Sequence, residues 1–540
     1  MQEEKKITRR NYLRYAGAGA VAVAAAAAGA YYFGQSPPSP PTTTETISAT
    51  TETIPTTPTG KPMSKVLATA TNGLRKLNLP KGTTLNLLCM AGLNANGYMA
   101  AREKFYEISG FTREDIDVEI SEVPESEYDS KALAEAATQS GTFDYLAGSY
   151  TWGIIDQSQA GIARPIDDFI AKYDPDIGSY IWPLTYLTKV AGKTYGLPMD
   201  GDIVFNIYRK DLLQNPEEKD SFKSQYGYEL KWPEVFDKDF VDVLEFFTRK
   251  KGEKLAGETL GDNFYGAVEW RSRAYTNEWF WARFMCLAQD KEPAYYFDEE
   301  TMEPTFNNET GAKALTDLVA MNKYMHPDIV SWGYDEQMTT YVSGNAFTFN
   351  TWPNICKQAE DPERSKIVGK SGYGLSPGYM VNGKLSRRIL GEGTYFSCVN
   401  SWGKNPELAY LYALAMSSPE LSVELITYPM SNADPFRREH FSDPKIVNQW
   451  PAAKDYLKAD QECFKYYGPL CVMPGWLEYY DKLELEIQAF QTGAKTAEKA
   501  LRDAETEWNK VTDRRGRDEQ KRWYKAWVET WVEALKYRPT

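Results

Sequence analysis

Short apolar runs alternate with longer amphipathic stretches along the chain after residue 83. The runs at residues 84–90, 116–123 and 143–147 predict strands, and the stretches at residues 98–109 and 126–139 predict helices between them. Strands that alternate with helices are typical of a parallel, doubly wound α/β sheet. Because ligands of such sheets bind beyond the carboxyl ends of the strands, the loops that follow these strands are candidate binding segments.

Residues 192–212, GKTYGLPMDGDIVFNIYRKDL, interrupt this alternation. Pro198 cannot donate to a sheet ladder, and Gly201 can absorb a change in backbone angles. The pattern predicts a segment in which the chain leaves one compact body and enters another, with Asp200 and Asp202 at the cleft between them. A similar return crossing is predicted at residues 372–378, GYGLSPG.

Polar and aromatic residues follow the predicted strands of the first body. Asn94 and Asn96 come after the first strand, and Tyr150 and Trp152 come after the third. Each of these residues, taken singly, is also typical of a solvated turn. Their convergence at one edge of the sheet, beside the first crossing, favours ligand binding.

Aromatic residues also end two predicted strands of the second body. A strand at residues 263–270 ends at Trp270 and leads to Arg271 and Tyr275, and a strand at residues 346–350 leads to Trp352 and Pro353. A Trp held at a strand end by a following Pro is either a plug between two bodies or a stacking platform for a ligand.

The N-terminal residues predict export. Residues 8–14, TRRNYLR, resemble a twin-arginine signal, and the apolar run at residues 16–33 is near the length that spans a bilayer. Either cleavage or retention as a membrane anchor is compatible with this pattern, and both place the globular part outside the cell. We assign residues 1–35 to the signal or anchor and residues 36–80, which begin with a Pro-rich and Thr-rich stalk, to a stalk and linker.

Composition excludes several classes of function. A formal net charge of -14 over 540 residues argues against a nucleic-acid partner, which needs a basic surface. The two histidines, His326 and His440, argue against a histidine triad and a multi-histidine metal site, and no C-x-x-C pair is present. We therefore predict no cofactor and no metal. The spacing of Cys463 and Cys471 suits either a local disulfide or two free buried thiols.

The first crossing resembles that of family 1 extracellular solute-binding proteins, the group of maltose-binding protein. In that family a Lys turn and a Tyr-x-x-Pro run lead into a strand that ends in Tyr-x-Lys-Asp-Leu, as residues 193–198 and 208–212 do here. Further stretches follow in the family's order and extend the resemblance over residues 82–510: GIARPI at 161–166, FNN at 306–308, GNA at 344–346, the YGLSP return at 373–377 and TAEKALRDA at 496–504.

This resemblance implies an α/β fold of two lobes, each a doubly wound, mostly parallel sheet, with discontinuous lobes joined by hinge crossings. Lobe 1 would comprise residues 81–202 and 376–404, and lobe 2 residues 203–375 and 405–540. The resemblance also implies a monomeric, extracellular receptor that is not an enzyme, with a small-molecule solute such as a sugar or oligosaccharide and an ABC permease as partners.

Residues that would bind a sugar follow from the same resemblance. In such sites, aromatic rings stack on the sugar while carboxylates and amides bind its hydroxyl groups. The positions that match are Asn94, Asn96, Tyr150, Trp152, Asp202, Tyr275, Trp352 and Trp476, with Asp200, Trp270 and Tyr395 as additions. Arg271 would instead suit an acidic sugar or a carboxylate ligand.

Two alternatives remain open at the level of sequence. A surface glycoside hydrolase could pair Asp200 or Asp202 with Glu269, because such enzymes use two carboxyl groups beside the glycosidic bond. A sensory or adhesive receptor could use the same fold without transport.

Overall fold

Two sheets form the centres of two lobes in the computed structural model, which describes residues 62–540 apart from Trp152, Ala274, Glu392 and Gly393. The strands in chain order are β1 (Thr83–Met90), β2 (Ile116–Val123), β3 (Tyr145–Tyr150), β4 (Lys189–Val190), β5 (Lys193–Thr194), β6 (Leu197–Pro198), β7 (Phe205–Arg209), β8 (Lys254–Leu255), β9 (Glu258–Thr259), β10 (Tyr265–Glu269), β11 (Ala346–Thr351), β12 (Ser371–Gly374), β13 (Tyr379–Val381), β14 (Lys384–Ser386) and β15 (Tyr395–Val399).

Helices connect these strands and surround the two sheets. In chain order they are α1 (Lys65–Lys76), α2 (Leu93–Ser109), α3 (Glu125–Thr138), α4 (Gly153–Gln159), α5 (Asp167–Tyr173), α6 (Leu184–Leu187), α7 (Lys210–Leu213), α8 (Pro216–Tyr226), α9 (Val241–Phe246), α10 (Thr276–Leu287), α11 (Glu309–Ala320), α12 (Tyr334–Val342), α13 (Ile355–Ala359), α14 (Pro406–Met416), α15 (Pro419–Thr427), α16 (Pro444–Val447), α17 (Ala453–Phe464), α18 (Trp476–Gln491), α19 (Ala497–Arg515) and α20 (Arg517–Leu535).

Each sheet is mixed, with one strand that is antiparallel to its neighbours. The first sheet has the order β2-β1-β3-β15-β6, with β1 parallel to β2 and β3, and β15 antiparallel to β3 and β6. The second has the order β10-β11-β7-β12, with β10 parallel to β11, and β7 antiparallel to both of its neighbours. Both β7 and β15 are the strands by which the chain enters a lobe from the other one. The predicted two-lobed α/β fold is confirmed.

The globular part begins at Met63, so the assignment of residues 63–80 to a linker is corrected. Helix α1 buries Val66, Leu67 and Leu74 and packs on α14 in lobe 1. Its N-cap is Ser64, whose side chain accepts a hydrogen bond from the Leu67 N–H and donates one to Glu420. The sequence expectation failed here because one amphipathic helix follows the Pro-rich stretch directly.

No helix among the residues that the structure describes is long and apolar enough to cross a membrane. The predicted twin-arginine signal, the apolar run at residues 16–33 and nearly all of the predicted stalk lie outside the described residues.

The lobe boundaries differ from the expected ones after residue 375. Strand β12 belongs to the second sheet, and the β13–β14 hairpin packs on α10 of lobe 2. Helices α14 and α15 instead pack on lobe 1, against α1 and α2. The return crossing therefore lies between β14 and β15, after the predicted position at 372–378, and residues 406–427 belong to lobe 1.

The two crossings run side by side. In the first, residues 199–204 connect β6 of lobe 1 to β7 of lobe 2. The Met199 N–H group donates to Tyr395 O at the start of β15, and the Val204 N–H group donates to Leu390 O of the return crossing. A Cβ atom at Gly201 would lie 1.8 Å from Pro435 O. Close approach of a third segment, at residues 434–436, therefore requires glycine at this position.

The terminal helix α20 contacts both lobes. In lobe 1, the Trp182 indole donates a hydrogen bond to Ala534 O, at 2.7 Å, and packs edge-to-face on Trp531. In lobe 2, the Tyr524 hydroxyl accepts hydrogen bonds from the main-chain N–H groups of Tyr296 and Phe297.

All six cysteines are free and buried, so the expected disulfide between Cys463 and Cys471 is wrong. Cys463 lies in the last turn of α17, and burial raises the pKa of both thiols well above the ordinary value. The alternative of two packed, unreactive thiols is the one that the structure adopts.

Candidate functional site

A cavity of about 390 Å³ lies between the two lobes. This volume is within the range of small-molecule sites. The cavity is lined by Met90, Ala91, Leu93, Asn94, Glu125, Tyr150, Asp202, Trp270, Tyr275, Tyr334, Trp352, Asn354 and Asn432.

Several residues expected from the sequence meet in this cavity. They are Asn94, Tyr150, Asp202, Trp270, Tyr275 and Trp352. Strand ends bring them together, since Tyr150 ends β3, while Trp270 and Trp352 directly follow β10 and β11, two parallel neighbours. The rule that places ligands at the carboxyl ends of parallel strands therefore describes both lobes. Trp152 lies outside the described residues.

Lobe 2 contributes a wall of aromatic rings. The ring centroids of Trp270 and Tyr275 lie 4.7 Å apart, those of Tyr275 and Trp352 lie 5.4 Å apart, and those of Trp352 and Tyr334 lie 6.2 Å apart. The indole N–H groups of Trp270 and Trp352 are buried and have no acceptor in the described protein. A ligand with both apolar faces and hydrogen-bonding groups would suit this wall.

Lobe 1 contributes mainly polar groups. Asn94 lies in the first turn of α2, where its Oδ1 accepts from Cys89 Sγ and its Nδ2 is buried without a partner. Glu125 is the first residue of α3, where the positive end of the helix dipole favours a carboxylate. The Tyr275 hydroxyl donates to Glu125 Oε1 across the cleft, so the two lobes are in contact at the cavity.

Five of the expected residues that the structure describes lie outside the cavity lining, and three of them, Tyr395, Asp200 and Asn96, belong to lobe 1 or to the first crossing. The hydroxyl of Tyr395, a buried residue of β15, donates to Asn432 Oδ1 at 2.9 Å, and its ring packs edge-to-face on Tyr150. Asp200 is fully buried at the first crossing, and Asn96 is a partly exposed residue of α2. Tyr395 therefore orients two lining residues instead of contacting a ligand.

The expectation that Arg271 binds a ligand is corrected. Its guanidinium group is fully buried and forms an ion pair with Glu269 at 2.8 Å, and Arg283 pairs with the same carboxylate at 3.1 Å. Burial lowers the pKa of Arg271 to about 10. Burial alone would raise the pKa of Glu269, but the two guanidinium groups hold it below its ordinary value. The error arises because successive side chains of an extended segment point to opposite faces. Trp270 faces the cavity, whereas Arg271, the next residue, faces the interior of lobe 2.

Trp476 is also displaced from the cavity. It is a buried residue at the start of α18, with its ring 4.9 Å from that of Tyr296 and 5.7 Å from that of Trp508. It belongs to the aromatic core under the C-terminal helices, so its match to a sugar-binding position is corrected.

Three buried carboxylates meet behind the cavity. Oxygen atoms of Asp200, Asp202 and Asp434 all lie within 4.8 Å of one another. Burial, with the charges of its neighbours, raises the pKa of Asp200 and of Asp202 well above the ordinary value. Burial raises the pKa of Asp434 to about 6, although the Lys357 ammonium opposes this. Asp202 also lines the cavity, so the cluster and the cavity are continuous.

Other lining residues were missed by the sequence analysis. Tyr334 is the first residue of α12 and does not follow a strand, whereas Glu125, the first residue of α3, comes two residues after β2 ends. Asn432, which lines the cavity, and Asp434, which belongs to the carboxylate cluster behind it, come from the segment between α15 and α16, far along the chain from the first crossing. A usable signal was present at the missed residues that lie at or just beyond a strand end, namely Met90, Ala91, Leu93, Glu125 and Asn354.

A sequence profile described as bacterial extracellular solute-binding protein matches residues 95–396. The chain belongs to this family. A probable amino-acid ABC transporter periplasmic-binding protein of Sinorhizobium fredii is 22% identical over 448 residues, which cover 81% of this chain and 92% of that protein. The resemblance seen in the crossings and their order is thereby confirmed.

Solved structures of similar fold include two with bound polyol or sugar. Maltose-bound MalE3 of T. maritima has a TM-score of 0.62 and 17% identity, covering 79% of this chain and 100% of that one. An ABC transporter solute-binding protein of Agrobacterium radiobacter in complex with ribitol has a TM-score of 0.61 and 17% identity, covering 80% and 99%. Solute-binding proteins of ABC importers bind small molecules and deliver them to permeases, and this chain is one of them.

Proposed function

We propose that this solute-binding protein captures a neutral sugar or oligosaccharide in the cleft and delivers it to the permease subunits of an ABC importer. The observation that carries the proposal is the pairing of an aromatic wall on lobe 2 with amide and carboxylate groups on lobe 1. Aromatic rings give contact area to the apolar C–H faces of a sugar, while amides and carboxylates bind its hydroxyl groups.

Charge supports a neutral ligand over an acidic one. The described residues that line the cavity include two carboxylates, those of Glu125 and Asp202, and no Lys or Arg. An anionic sugar would be repelled by this lining and would find no guanidinium partner. With Arg271 held by Glu269 in the protein interior, the argument for an acidic ligand is removed.

Binding without chemistry suffices for this function. Glu269, the partner that the sequence suggested for a glycoside hydrolase, is buried in an ion pair with two arginines and does not line the cavity. Ligand binding need only favour the closed arrangement of the lobes, and a micromolar Kd, about -8 kcal/mol, is enough.

The test combines Trp fluorescence and calorimetry of the full chain with a panel of mono- and oligosaccharides, polyols and amino acids. We expect saturable binding of one sugar, recovery of that sugar unchanged, and loss of binding in Trp352→Ala. Trp402→Ala is the matched control, since Trp402 is also partly buried but packs beside Gly161 outside the cavity. Saturable binding of an amino acid alone, or turnover of the sugar, would contradict the proposal.

We also propose that the protein acts as a monomer, held at the outer face of the cytoplasmic membrane by residues 16–33. The apolar run and the preceding arginines support this placement. Membrane fractionation of cells that produce the full chain tests it. Release of the protein into the soluble fraction after cleavage would replace the anchored form with a secreted one.

A further inference from the structure

The three carboxyl groups of Asp200, Asp202 and Asp434 are buried together, and no cationic side chain that the structure describes is paired to any of them. The exposed fractions of these residues are 0%, 8% and 1%. None of the three forms an ion pair with a Lys, Arg or His side chain within the described part of the chain. Burial of several carboxylates without a counter-charge is costly.

The ammonium group of Lys357 interacts with the cluster and offsets only part of its negative charge. Lys357 Nζ donates hydrogen bonds to two main-chain carbonyl oxygens, Ile426 O at 3.0 Å and Ala433 O at 2.9 Å. A single ammonium group that is held by carbonyls leaves an excess of negative charge if the three carboxyl groups are ionised. A fourth carboxyl group, Asp460, is fully buried as well, and both of its oxygens lack a partner.

Two oxygen atoms of the cluster accept no hydrogen bond from an N–H or hydroxyl group of the described protein around it. They are Asp200 Oδ2 and Asp434 Oδ2, and both are buried. The opposite oxygen of Asp200 is fixed by the N–H groups of Gly201, at 2.9 Å, and Asp434, at 2.8 Å. Main-chain donors thus hold the Asp200 carboxylate in place through its Oδ1 atom.

We propose that Asp200, Asp202 and Asp434 bind a hard divalent cation, with Ca²⁺ as the probe, at the floor of the cleft. Hard cations take oxygen ligands and tolerate several carboxylates, whereas zinc sites are built from His and Cys. Mutual distances below 4.8 Å allow one ion to reach all three groups. Since Asp202 also lines the cavity, one side of the ion is open to water or to a hydroxyl group of the solute.

The competing arrangement is a cluster of carboxyl groups that share protons and bind no ion. Calorimetry and thermal unfolding of the full chain in detergent, after treatment with a chelator, separate the two. We expect one Ca²⁺ per chain and a Tm that rises with the logarithm of the Ca²⁺ concentration at constant ionic strength. Absence of binding for Ca²⁺, Mg²⁺ and Mn²⁺ alike would overturn the proposal.

Variants separate this site from general attraction of cations to an acidic protein. Asp434→Asn is nearly the same size and relieves repulsion between carboxylates, so we expect it to fold and to lose the Ca²⁺ isotherm and the Tm shift. Asp200→Asn should behave alike. Asp129→Asn is the control, because Asp129 is a carboxyl group of α3 outside the cluster. An equal Tm shift in Asp434→Asn and in the original chain would overturn the proposal.

Cation binding is measured without a solute, so its failure is distinct from failure of the proposed sugar binding. A sugar that binds a chain unable to bind any cation would remove only the cation site. If Ca²⁺ binds in a manner that depends on Asp434 but no sugar binds, the cation site is supported and only the proposed sugar binding fails. Where both bind, we expect the sugar Kd to rise at least about tenfold in EDTA, as loss of one charge-assisted contact would give.

Discussion

The hydroxyl group of Tyr275 donates a hydrogen bond to Oε1 of Glu125 at 3.0 Å, and these two residues belong to different lobes. Both line the cavity, so the bond closes one side of it directly. The structure is therefore that of lobes in contact at the cleft, and the bond is one of the interactions that opening must break.

Removal of this bond should weaken solute binding. In Tyr275→Phe the ring remains in the aromatic wall but the link to Glu125 is lost. We expect the sugar Kd to rise about two- to fivefold, because the bond is exposed to water and its net free energy is modest. Calorimetry measures this change, and small-angle scattering should show a larger radius of gyration without sugar.

Tyr173→Phe is the matched control for that variant. The Tyr173 hydroxyl also donates to a glutamate, Glu407, at 2.6 Å, but both residues belong to lobe 1. We expect no change in sugar affinity. Equal effects of the two substitutions would show that the Tyr275 bond has no special role in closure.

Gly201→Ala should destabilise the protein through main-chain contact at the crossings. The new Cβ atom would lie 1.8 Å from Pro435 O, which cannot move by side-chain rotation. We expect a loss of about 1–3 kcal/mol in the free energy of unfolding and a lower Tm. Gly178→Ala is the control, since a Cβ there meets nothing within 4 Å. Equal Tm values for the two variants would contradict the close approach.

Glu269→Ala should be among the more damaging single substitutions in lobe 2. It leaves the buried guanidinium groups of Arg271 and Arg283 without their carboxylate, for which we expect a cost of about 3–5 kcal/mol. In the comparison variant Glu103→Ala, an exposed pair with Arg113 is lost, and the expected cost is below about 1 kcal/mol. Urea denaturation measures both, and similar midpoints would refute the assigned role of Glu269.

Asp129 gives a prediction about pH. Burial, with a smaller effect from the charge of Asp156, raises the pKa of Asp129 to about 6, against the hydrogen bond from Gln157. The raised value means that its contribution to stability is fully present below the unfolded pKa, near 3.8, and is lost as the pH rises through about 6.

Asp129→Asn imitates the protonated form and can still accept from Gln157. We therefore expect the Tm of this variant, relative to the original chain, to rise between pH 4 and pH 7 and to change little above that. Thermal unfolding over this range measures the difference. A constant difference at every pH would show that Asp129 titrates normally.

The sequence predicted the parts of the site that depend on strand ends. Tyr150, Trp270 and Trp352 follow from the position of predicted strands, because the direction of a parallel strand decides at which edge its last residue lies. The prediction failed at Arg271 because strand position alone does not give the direction of a side chain. Arg271 is one residue beyond Trp270, yet Glu269 holds it in the interior.

Local sequence patterns could not predict contacts between segments that are far apart along the chain. Asp434 meets Asp200 across more than two hundred residues of sequence, and its segment has neither strand nor helix periodicity. Helix α1 was missed for a different reason. Its apolar stripe, with Val66 and Leu74, is visible in the sequence, but only the presence of α14 shows that the stripe is buried.

The terminal helix α20 links the two lobes at a place outside the cavity lining. Trp531 and Ala534 hold Trp182 of lobe 1, while Tyr524 holds the main chain of lobe 2, and none of these residues lines the cavity. If opening strains or relieves these contacts, every 1.4 kcal/mol gained or lost there changes the ratio of open to closed receptor tenfold. Substitutions in α20, which does not line the cavity, would then change the Kd to suit a lower or higher solute concentration outside the cell, while solute selectivity stays the same.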